Sequence, residues 1–343
     1  MRYSIAERIE RKGKDPGDVM PAHRRDMRER TERRSDKTDI GDTMNVLLID
    51  ADSTVPNLAL MKISAYHKSL GDNVGFNVED PDKVYCSIIF KKNKHIADGL
   101  RFLYPDAELD IGGSGYDLHK VLSPEIECMT PDYSLYPDNT SYYGFTTRGC
   151  IRHCPFCIVH DKEGLFRRIY GSVDDALESI MGNYNLSNIT FFDNNILADK
   201  DWFIRLCNTL HDRFPKMKVD FNQGLDVRLL DDDMAMALSK LKPITKWKFA
   251  FDMMGYKDKV LSGIEILNRY IKVRSMVLFY VYVDNDDQIP DAVARSRILK
   301  ENGATAYAML NLDVPHTKRM KAFKRWTRPW LFWSCDFDEF YKG

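Results

Sequence analysis

The chain has almost no net charge and no long apolar run. Its 343 residues carry 50 Lys and Arg against 51 Asp and Glu, so no global attraction to nucleic acid or to a membrane surface is expected. No apolar stretch approaches the roughly 20 residues of a membrane-spanning helix, and no secretory signal opens the sequence. Hydrophobic residues make up 44% of the chain, enough for a sizeable core. We therefore expect a cytoplasmic protein of about two domains with no membrane partner.

Cysteine is sparse and odd in number, which argues against a disulfide framework. Four of the seven cysteines are scattered, and we expect small buried hydrophobic side chains at Cys86, Cys128, Cys207 and Cys335. The other three lie close together in the segment 146–157, which reads Thr-Thr-Arg-Gly-Cys-Ile-Arg-His-Cys-Pro-Phe-Cys. This triplet is the most specific chemical signal in the chain.

Cys150, Cys154 and Cys157 form the pattern Cys-x-x-x-Cys-x-x-Cys. Three thiolates on one short loop can bind three irons of a four-iron cluster and leave the fourth iron open, whereas ordinary electron-transfer clusters use four cysteines. Zinc is the alternative, and it needs a fourth ligand. His160 follows Cys157 at a suitable spacing, while His153 lies awkwardly between two of the cysteines.

The triplet, with Phe156 before its last cysteine, resembles the radical S-adenosylmethionine (radical SAM) enzymes. The resemblance implies a [4Fe-4S] cluster on Cys150, Cys154 and Cys157, with S-adenosyl-L-methionine chelating the open iron. It also implies that the backbone at Phe156 contacts the adenine. A one-electron reductant similar to flavodoxin or ferredoxin is the implied partner.

The first part of the chain divides into three predicted segments. Residues 1–43 alternate basic and acidic side chains, which is typical of a charged extension, although a nucleic-acid-binding arm is an alternative. Residues 44–127 read as strand, helix, strand, strand and predict a small Rossmann-like α/β domain. This unit resembles a cobalamin-binding domain, but it lacks that family's Asp-x-His-x-x-Gly motif, so we expect no cobalamin. Residues 128–141, rich in Pro and Asp, predict a linker.

Residues 142–315 alternate six strands with helices. Together with the resemblance, this predicts an α/β fold in which a partial (βα)6 TIM-like barrel follows the Rossmann-like domain. The predicted strands are 142–147, 188–192, 219–221, 246–251, 273–283 and 305–310. In such folds the chemistry gathers at the carboxyl ends of the strands.

Polar residues follow several of these strand ends. In the family, the second strand carries a motif that holds the ammonium of the cofactor, and Asp193 or Asn194 stands there in this chain. An N-cap of the following helix is the alternative. The third strand ends in a segment with Gln223, suited to a ribose, and with Asp226 and Arg228. Arg228 suits a carboxylate, although an internal Asp226–Arg228 ion pair is an equal alternative.

Two further features complete the prediction. Asp252 ends the fourth strand, and we add it to the cofactor-binding set. Residues 316–343 predict a C-terminal helix and tail in which basic residues interleave with Phe323, Trp326 and Trp330. The basic face could follow phosphates, with aromatic side chains near bases, or it could be the solvated side of a closing helix.

The predicted function is therefore a radical SAM enzyme. The resemblance implies that a reduced cluster cleaves S-adenosyl-L-methionine to a 5′-deoxyadenosyl radical, which takes hydrogen from a substrate that the sequence does not identify. Methylation or another modification of a nucleic acid or nucleotide is one option, and peptide modification is another. The alternative from a different class is a non-catalytic nucleic-acid-binding module with a structural zinc. No catalytic side chain beyond the cluster ligands is required.

Overall fold

The computed structural model describes residues 43–342. The predicted extension 1–43 lies outside the described residues except for Thr43. Two compact units follow one another, one ending at Tyr136 and the other beginning at Pro137. This division falls inside the segment 128–141 that was predicted as a linker. Within residues 43–342, no helix has both the length and the apolar character needed to cross a bilayer.

The first unit is a four-stranded parallel sheet with helices. Its strands have the order β2-β1-β3-β4. The strands are β1 (Asn45–Asp50), β2 (Asn73–Gly75), β3 (Lys83–Ser87) and β4 (Glu108–Gly112), and the helices are α1 (Leu58–Ser69), α2 (Ile96–Leu103) and α3 (Pro124–Glu127). The short strand β2 was not predicted, because its three residues carry no apolar alternation.

Local sequence explains these elements. The side chain of Asn57 accepts a hydrogen bond from the Leu60 amide and caps α1, and Gly71, with φ of +86°, follows the helix end. Apolar side chains of β1, β3 and β4 pack with Ala97 and Leu100 of α2. Cys86 belongs to this core, and burial raises the pKa of its thiol to about 12. This confirms the expectation of a buried cysteine here, whereas Cys128 is exposed.

The second unit contains the remaining elements. Its strands are β5 (Ser141–Gly144), β6 (Thr147–Arg148), β7 (Arg167–Arg168), β8 (Asn188–Phe191), β9 (Lys218–Phe221), β10 (Lys242–Pro243), β11 (Trp247–Ala250), β12 (Val277–Val283) and β13 (Thr305–Leu310). Its helices are α4 (Val159–Glu163), α5 (Val173–Met181), α6 (Lys200–Arg213), α7 (Asp232–Ser239), α8 (Lys257–Tyr270), α9 (Val273–Met276), α10 (Ile289–Glu301), α11 (Lys318–Trp326), α12 (Pro329–Ser334) and α13 (Phe337–Phe340).

Parallel pairing dominates this unit. One sheet has the order β10-β9-β8-β5 and another has the order β11-β12-β13, and all of these neighbours are parallel. A bridge between Leu225, in the segment that follows β9, and Phe249 of β11 joins the two sheets, and the Leu225 amide donates to the Lys248 carbonyl at 2.7 Å. The predicted mixed α/β fold with parallel sheets is therefore confirmed.

Three predicted elements differ from the structure. The strand predicted at 273–283 begins with the helical turn α9, and the strict alternation of burial starts only with β12 at Val277. The strand predicted at 142–147 stops at Gly144, and β6 then pairs antiparallel with β7. The C-terminal segment forms three short helices rather than one, since Pro329 starts a new helix directly after α11.

Candidate functional site

The cysteine loop follows β5 and β6 and is fixed by a glycine. Gly149 has φ of +78°, and a Cβ atom there would lie 2.2 Å from the Leu165 carbonyl oxygen, so no other residue fits without a backbone shift. The amide of Cys150 donates to the Gly164 carbonyl at 3.2 Å. A tight turn follows, in which the Cys157 amide donates to the Cys154 carbonyl at 3.0 Å. The backbone thus sets the path that all three cysteines follow.

Asp193, directly after β8, holds the entry to this loop. Its carboxylate accepts hydrogen bonds from the backbone amides and the hydroxyls of Thr146 and Thr147, at 2.6 to 3.1 Å. Burial raises the pKa of Asp193, and these donors oppose the rise. The indole of Trp202 donates to the Thr146 hydroxyl at 3.0 Å and completes the network. These contacts give Asp193 a positioning role beneath the loop.

Asn194 and Asn195 extend the same support. The side-chain oxygen of Asn194 accepts from the Gly149 amide at 3.0 Å. The Asn195 side-chain amide donates to Cys150 Sγ and to Asp226 Oδ2, each at 3.4 Å. Asn195 is 3% exposed, and its Oδ1 has no hydrogen-bond partner within the described part of the chain. A buried acceptor without a donor is costly, so this oxygen is suited to receive a donor from a bound molecule.

Asp226 forms an ion network with two arginines. Arg228 donates to Asp226 through Nε at 2.6 Å and Nη2 at 3.0 Å, and Arg152 donates through Nε at 3.1 Å. Burial alone would raise the pKa of Asp226, but the hydrogen bonds and charges of Arg228 and then Arg152 outweigh it and lower that pKa. The internal Asp226–Arg228 ion pair that was weighed as an alternative is therefore present.

Arg228 also reaches the cysteine loop. Burial raises the pKa of Cys154, and the charge of the nearby Arg228 guanidinium partly offsets this rise. The guanidinium carbon lies 4.4 Å from the centre of the Tyr256 ring. Arg228 thus connects the carboxylate of Asp226 with the second cysteine, where its positive charge favours a thiolate.

Asp252 and Phe156 lie against β12. The ring of Phe156 stacks on Tyr282 with centroids 4.4 Å apart, and Asp252 accepts a hydrogen bond from the Tyr282 amide at 3.1 Å. Burial raises the pKa of Asp252 to about 6. Gln223 is exposed, and its side chain forms no hydrogen bond with the described residues. The structure thus brings Asp226, Arg228 and Asp252 towards the cysteines and leaves Gln223 at the surface.

The donor set decides which metal group the loop suits. Among residues 43–342, no three or more His, Cys, Asp or Glu side chains are grouped to hold one metal ion. Tetrahedral zinc needs four donors about 2.0–2.3 Å from a single point, whereas a cube of irons takes each thiolate on a separate iron. The imidazole rings of His153 and His160 pack on each other, with centroids 4.2 Å apart. The described residues therefore form no shared site for a single ion, and the donor set of the loop is three separate thiols.

Sequence reasoning missed two groups at this site. Asn195 stood beside the chosen Asp193 and Asn194, but only the path of the chain after β8 shows which of the three side chains faces Cys150. Arg152 received no role from the sequence, and its pairing with Asp226 joins residues 74 positions apart. Neither contact has a signal in local sequence.

Comparisons with known proteins assign no role to the residues of this site. No family model matches the chain, and none of the curated proteins is similar to it in sequence.

Proposed function

We propose that the chain is a radical SAM enzyme, with a [4Fe-4S] cluster held by Cys150, Cys154 and Cys157. The observation that carries the proposal is Asn195, which contacts Cys150 and has a buried oxygen without a donor at the same place. Three thiolates would leave one iron of a cube open, and Asn195 Oδ1 would be available as an acceptor for a donor group of the molecule bound there. When bound, the cluster would supply an electron to the sulfonium of S-adenosyl-L-methionine and so generate the 5′-deoxyadenosyl radical that takes hydrogen from the substrate.

The residues around the loop would orient the cofactor. Asn195 Oδ1 would accept a hydrogen bond from its ammonium group, a role for which the sequence suggested Asp193 or Asn194. The oxygens of Asp193 already accept from Thr146 and Thr147. We therefore assign the ammonium to Asn195. The assignment of this role to Asp193 or Asn194 stays a prediction from the sequence. Arg228 would face the carboxylate of the cofactor, since a guanidinium suits such a group.

The remaining assignments belong to the same proposal. The backbone at Phe156 would contact the adenine, and Gln223 would reach the ribose if its exposed loop folds over the cofactor. Asp252, with its pKa raised to about 6 by burial, would lie at the inner edge of the site. A flavodoxin-like or ferredoxin-like protein of a reducing cytoplasm would supply the electron.

The fold is compatible with this assignment. We propose that β5, β8, β9, β11, β12 and β13 are the six strands of a partial (βα)6 barrel, joined at the Leu225–Phe249 bridge. The four parallel strands of the first unit would be the Rossmann-like, cobalamin-domain-like part, for which we propose no cobalamin. The candidate site then lies where parallel α/β folds place their chemistry, after the carboxyl ends of the strands.

Anaerobic reconstitution tests the proposal. The protein is loaded with iron and sulfide, its metals are quantified, and 5′-deoxyadenosine is measured after addition of dithionite and S-adenosyl-L-methionine. We expect about four irons per chain and product from the wild type but not from the Cys154→Ala variant. Stoichiometric zinc without a stable iron cluster would overturn the proposal in favour of the zinc-binding module. An intact cluster that neither binds S-adenosyl-L-methionine nor cleaves it would also overturn it.

A further inference from the structure

A basic groove lies along the C-terminal end of the second unit. It has a volume of about 430 Å³. Its basic side chains come from α11 and the residues on either side of that helix, and its other walls come from β13. Four cations line it, together with Thr327 and Tyr307: Lys321, Lys324, Arg325 and Arg328. No acidic residue lines it, so the groove has one sign of charge in a chain that is nearly neutral overall.

Several arginines of the second unit outside this groove are paired with carboxylates. Arg213, Arg269 and Arg297 each form an ion pair with an aspartate. By contrast, none of the four groove cations forms an ion pair with any residue in 43–342. Lys324 and Arg325 lie in the last turn of α11, where the helix dipole favours positive charge. Lys321 and Arg328 lie outside that turn, so the dipole does not account for the whole set.

The groove has a fixed floor. The buried Thr327 hydroxyl donates to the Lys324 carbonyl and accepts from the Ala308 amide, both at 3.1 Å. Ala308 belongs to β13, which pairs on one side with β12. The contact with Thr327 therefore satisfies a backbone donor of the outer strand and holds the end of α11 against the sheet. The groove cations are thus presented on a rigid frame.

An aromatic row leads from the groove towards the cysteine loop. Tyr307 lines the groove and is 45% exposed, and its ring lies 5.9 Å from that of Tyr280 on the neighbouring strand. Tyr282 follows on the same face of β12, because strand residues two apart point the same way. Tyr282 in turn stacks on Phe156 of the loop. Four aromatic side chains therefore connect the groove to the candidate site.

We propose that this groove binds the sugar–phosphate backbone of a single-stranded nucleic acid, and that the aromatic row receives an unpaired base on the way to the cysteine loop. Unpaired cations suit phosphates, and aromatic rings beside them suit stacked bases, the combination found in proteins that bind single strands. An acidic peptide would use the cations, but its carboxylates have no stacking face for the tyrosines. The base-delivery part rests on the function proposed above, whereas backbone binding does not.

Fluorescence anisotropy with labelled 12-nucleotide single strands, one of RNA and one of DNA, tests this inference on the full chain without S-adenosyl-L-methionine. The double variant Lys321→Ala/Lys324→Ala should raise Kd at least about tenfold and reduce the salt slope by about 1.4, since each phosphate contact in a single strand contributes about 0.7. The matched control Lys216→Ala/Lys218→Ala removes two exposed cations elsewhere in the second unit and should change Kd less than about twofold. Tyr307→Ala should raise Kd at least about fivefold, the lower end of the loss of one stacked base, and leave the salt slope unchanged.

The outcomes separate this inference from the enzymatic proposal. Binding of either strand with these losses supports it even if no 5′-deoxyadenosine forms, and the tighter of the two strands identifies the sugar. Equal weakening by the two lysine double variants would overturn it, because overall charge would then explain the binding. If neither strand binds at low salt, the inference is overturned. Equal displacement of the bound strand by a glutamate polymer would also overturn it. An unchanged Kd in Tyr307→Ala would overturn the base-stacking part.

Discussion

The side-chain amide of Asn195 lies 3.4 Å from Cys150 Sγ and the same distance from Asp226 Oδ2. One buried amide thus links the first cysteine of the loop to the carboxylate that holds Arg228 and Arg152. Its oxygen is left without a donor within the described part of the chain. This arrangement makes Asn195 the most informative position for mutation.

We expect Asn195→Ala to weaken binding of S-adenosyl-L-methionine to the reconstituted protein at least tenfold, because a lost hydrogen bond to a charged group costs about 1.5–3 kcal/mol. Iron content should stay close to that of the wild type. Isothermal titration calorimetry and iron analysis measure the two quantities. Asn208→Ala, on α6 and away from the loop, is the control. A fall in iron content with unchanged affinity of the loaded fraction would instead assign Asn195 to folding of the loop.

Gly149 and Gly164 offer a matched pair of substitutions. Both have positive φ, but a Cβ at Gly149 would collide with the Leu165 carbonyl, whereas a Cβ at Gly164 would meet nothing within 4 Å. Gly164 has φ of +74° and ψ of −152°, a region that glycine alone adopts readily, so Gly164→Ala should cost about 1–3 kcal/mol of stability. Gly149→Ala should cost clearly more and should lower the iron content after reconstitution. Urea unfolding and iron analysis test this, and equal effects of the two variants would contradict the geometry.

Asp193 is expected to stabilise the second unit through the loop. Asp193→Ala leaves the amides and hydroxyls of Thr146 and Thr147 without their acceptor, and each buried group that loses its partner carries a desolvation cost. We expect a loss of about 2–3 kcal/mol in the free energy of unfolding of the metal-free chain. Asp201→Ala, an exposed carboxylate in the first turn of α6, should lose less than about 1 kcal/mol. Chemical denaturation of both variants measures the difference.

Asp252 should give stability an identifiable dependence on pH. Its pKa is raised from 3.8 to about 6 in the folded chain, so the folded state binds this proton more tightly than the unfolded state does. The resulting stabilisation is complete below about pH 4 and is lost as the pH rises through about 6. The difference of about two between the pKa values of Asp252 in the folded and unfolded chain corresponds to about 3 kcal/mol in the free energy of unfolding.

The Asp252→Asn variant cannot titrate at this position. Its free energy of unfolding, compared with that of the wild type, should therefore rise by up to about 3 kcal/mol between pH 4 and pH 7. Urea unfolding of the metal-free chain at several pH values measures this difference. Asp258→Asn, at an exposed site on α8, should show no such trend. A difference independent of pH would mean that the folded chain does not retain the proton.

Much of the fold could be predicted because strands and helices leave local patterns. The strand 305–310 was predicted with its observed bounds, since buried apolar residues and turn signals mark both ends. The turn α9 was mistaken for the start of β12, because one helical turn is too short to show its period. The strand β10 was missed because its partner, the start of β9, lies 24 positions earlier.

The sequence by itself determined that three cysteines share one short loop, that this loop follows a strand, and that Phe156 lies within it. These are properties of neighbours in the chain, and covalent connection fixes them. Only the tertiary structure decided that Asn195 faces Cys150, that Arg152 pairs with Asp226, and that Tyr307 joins a basic groove to Tyr280. Parallel pairing brings the ends of strands that are far apart in sequence to one edge of the fold, and side-chain direction at that edge depends on packing that no local pattern encodes.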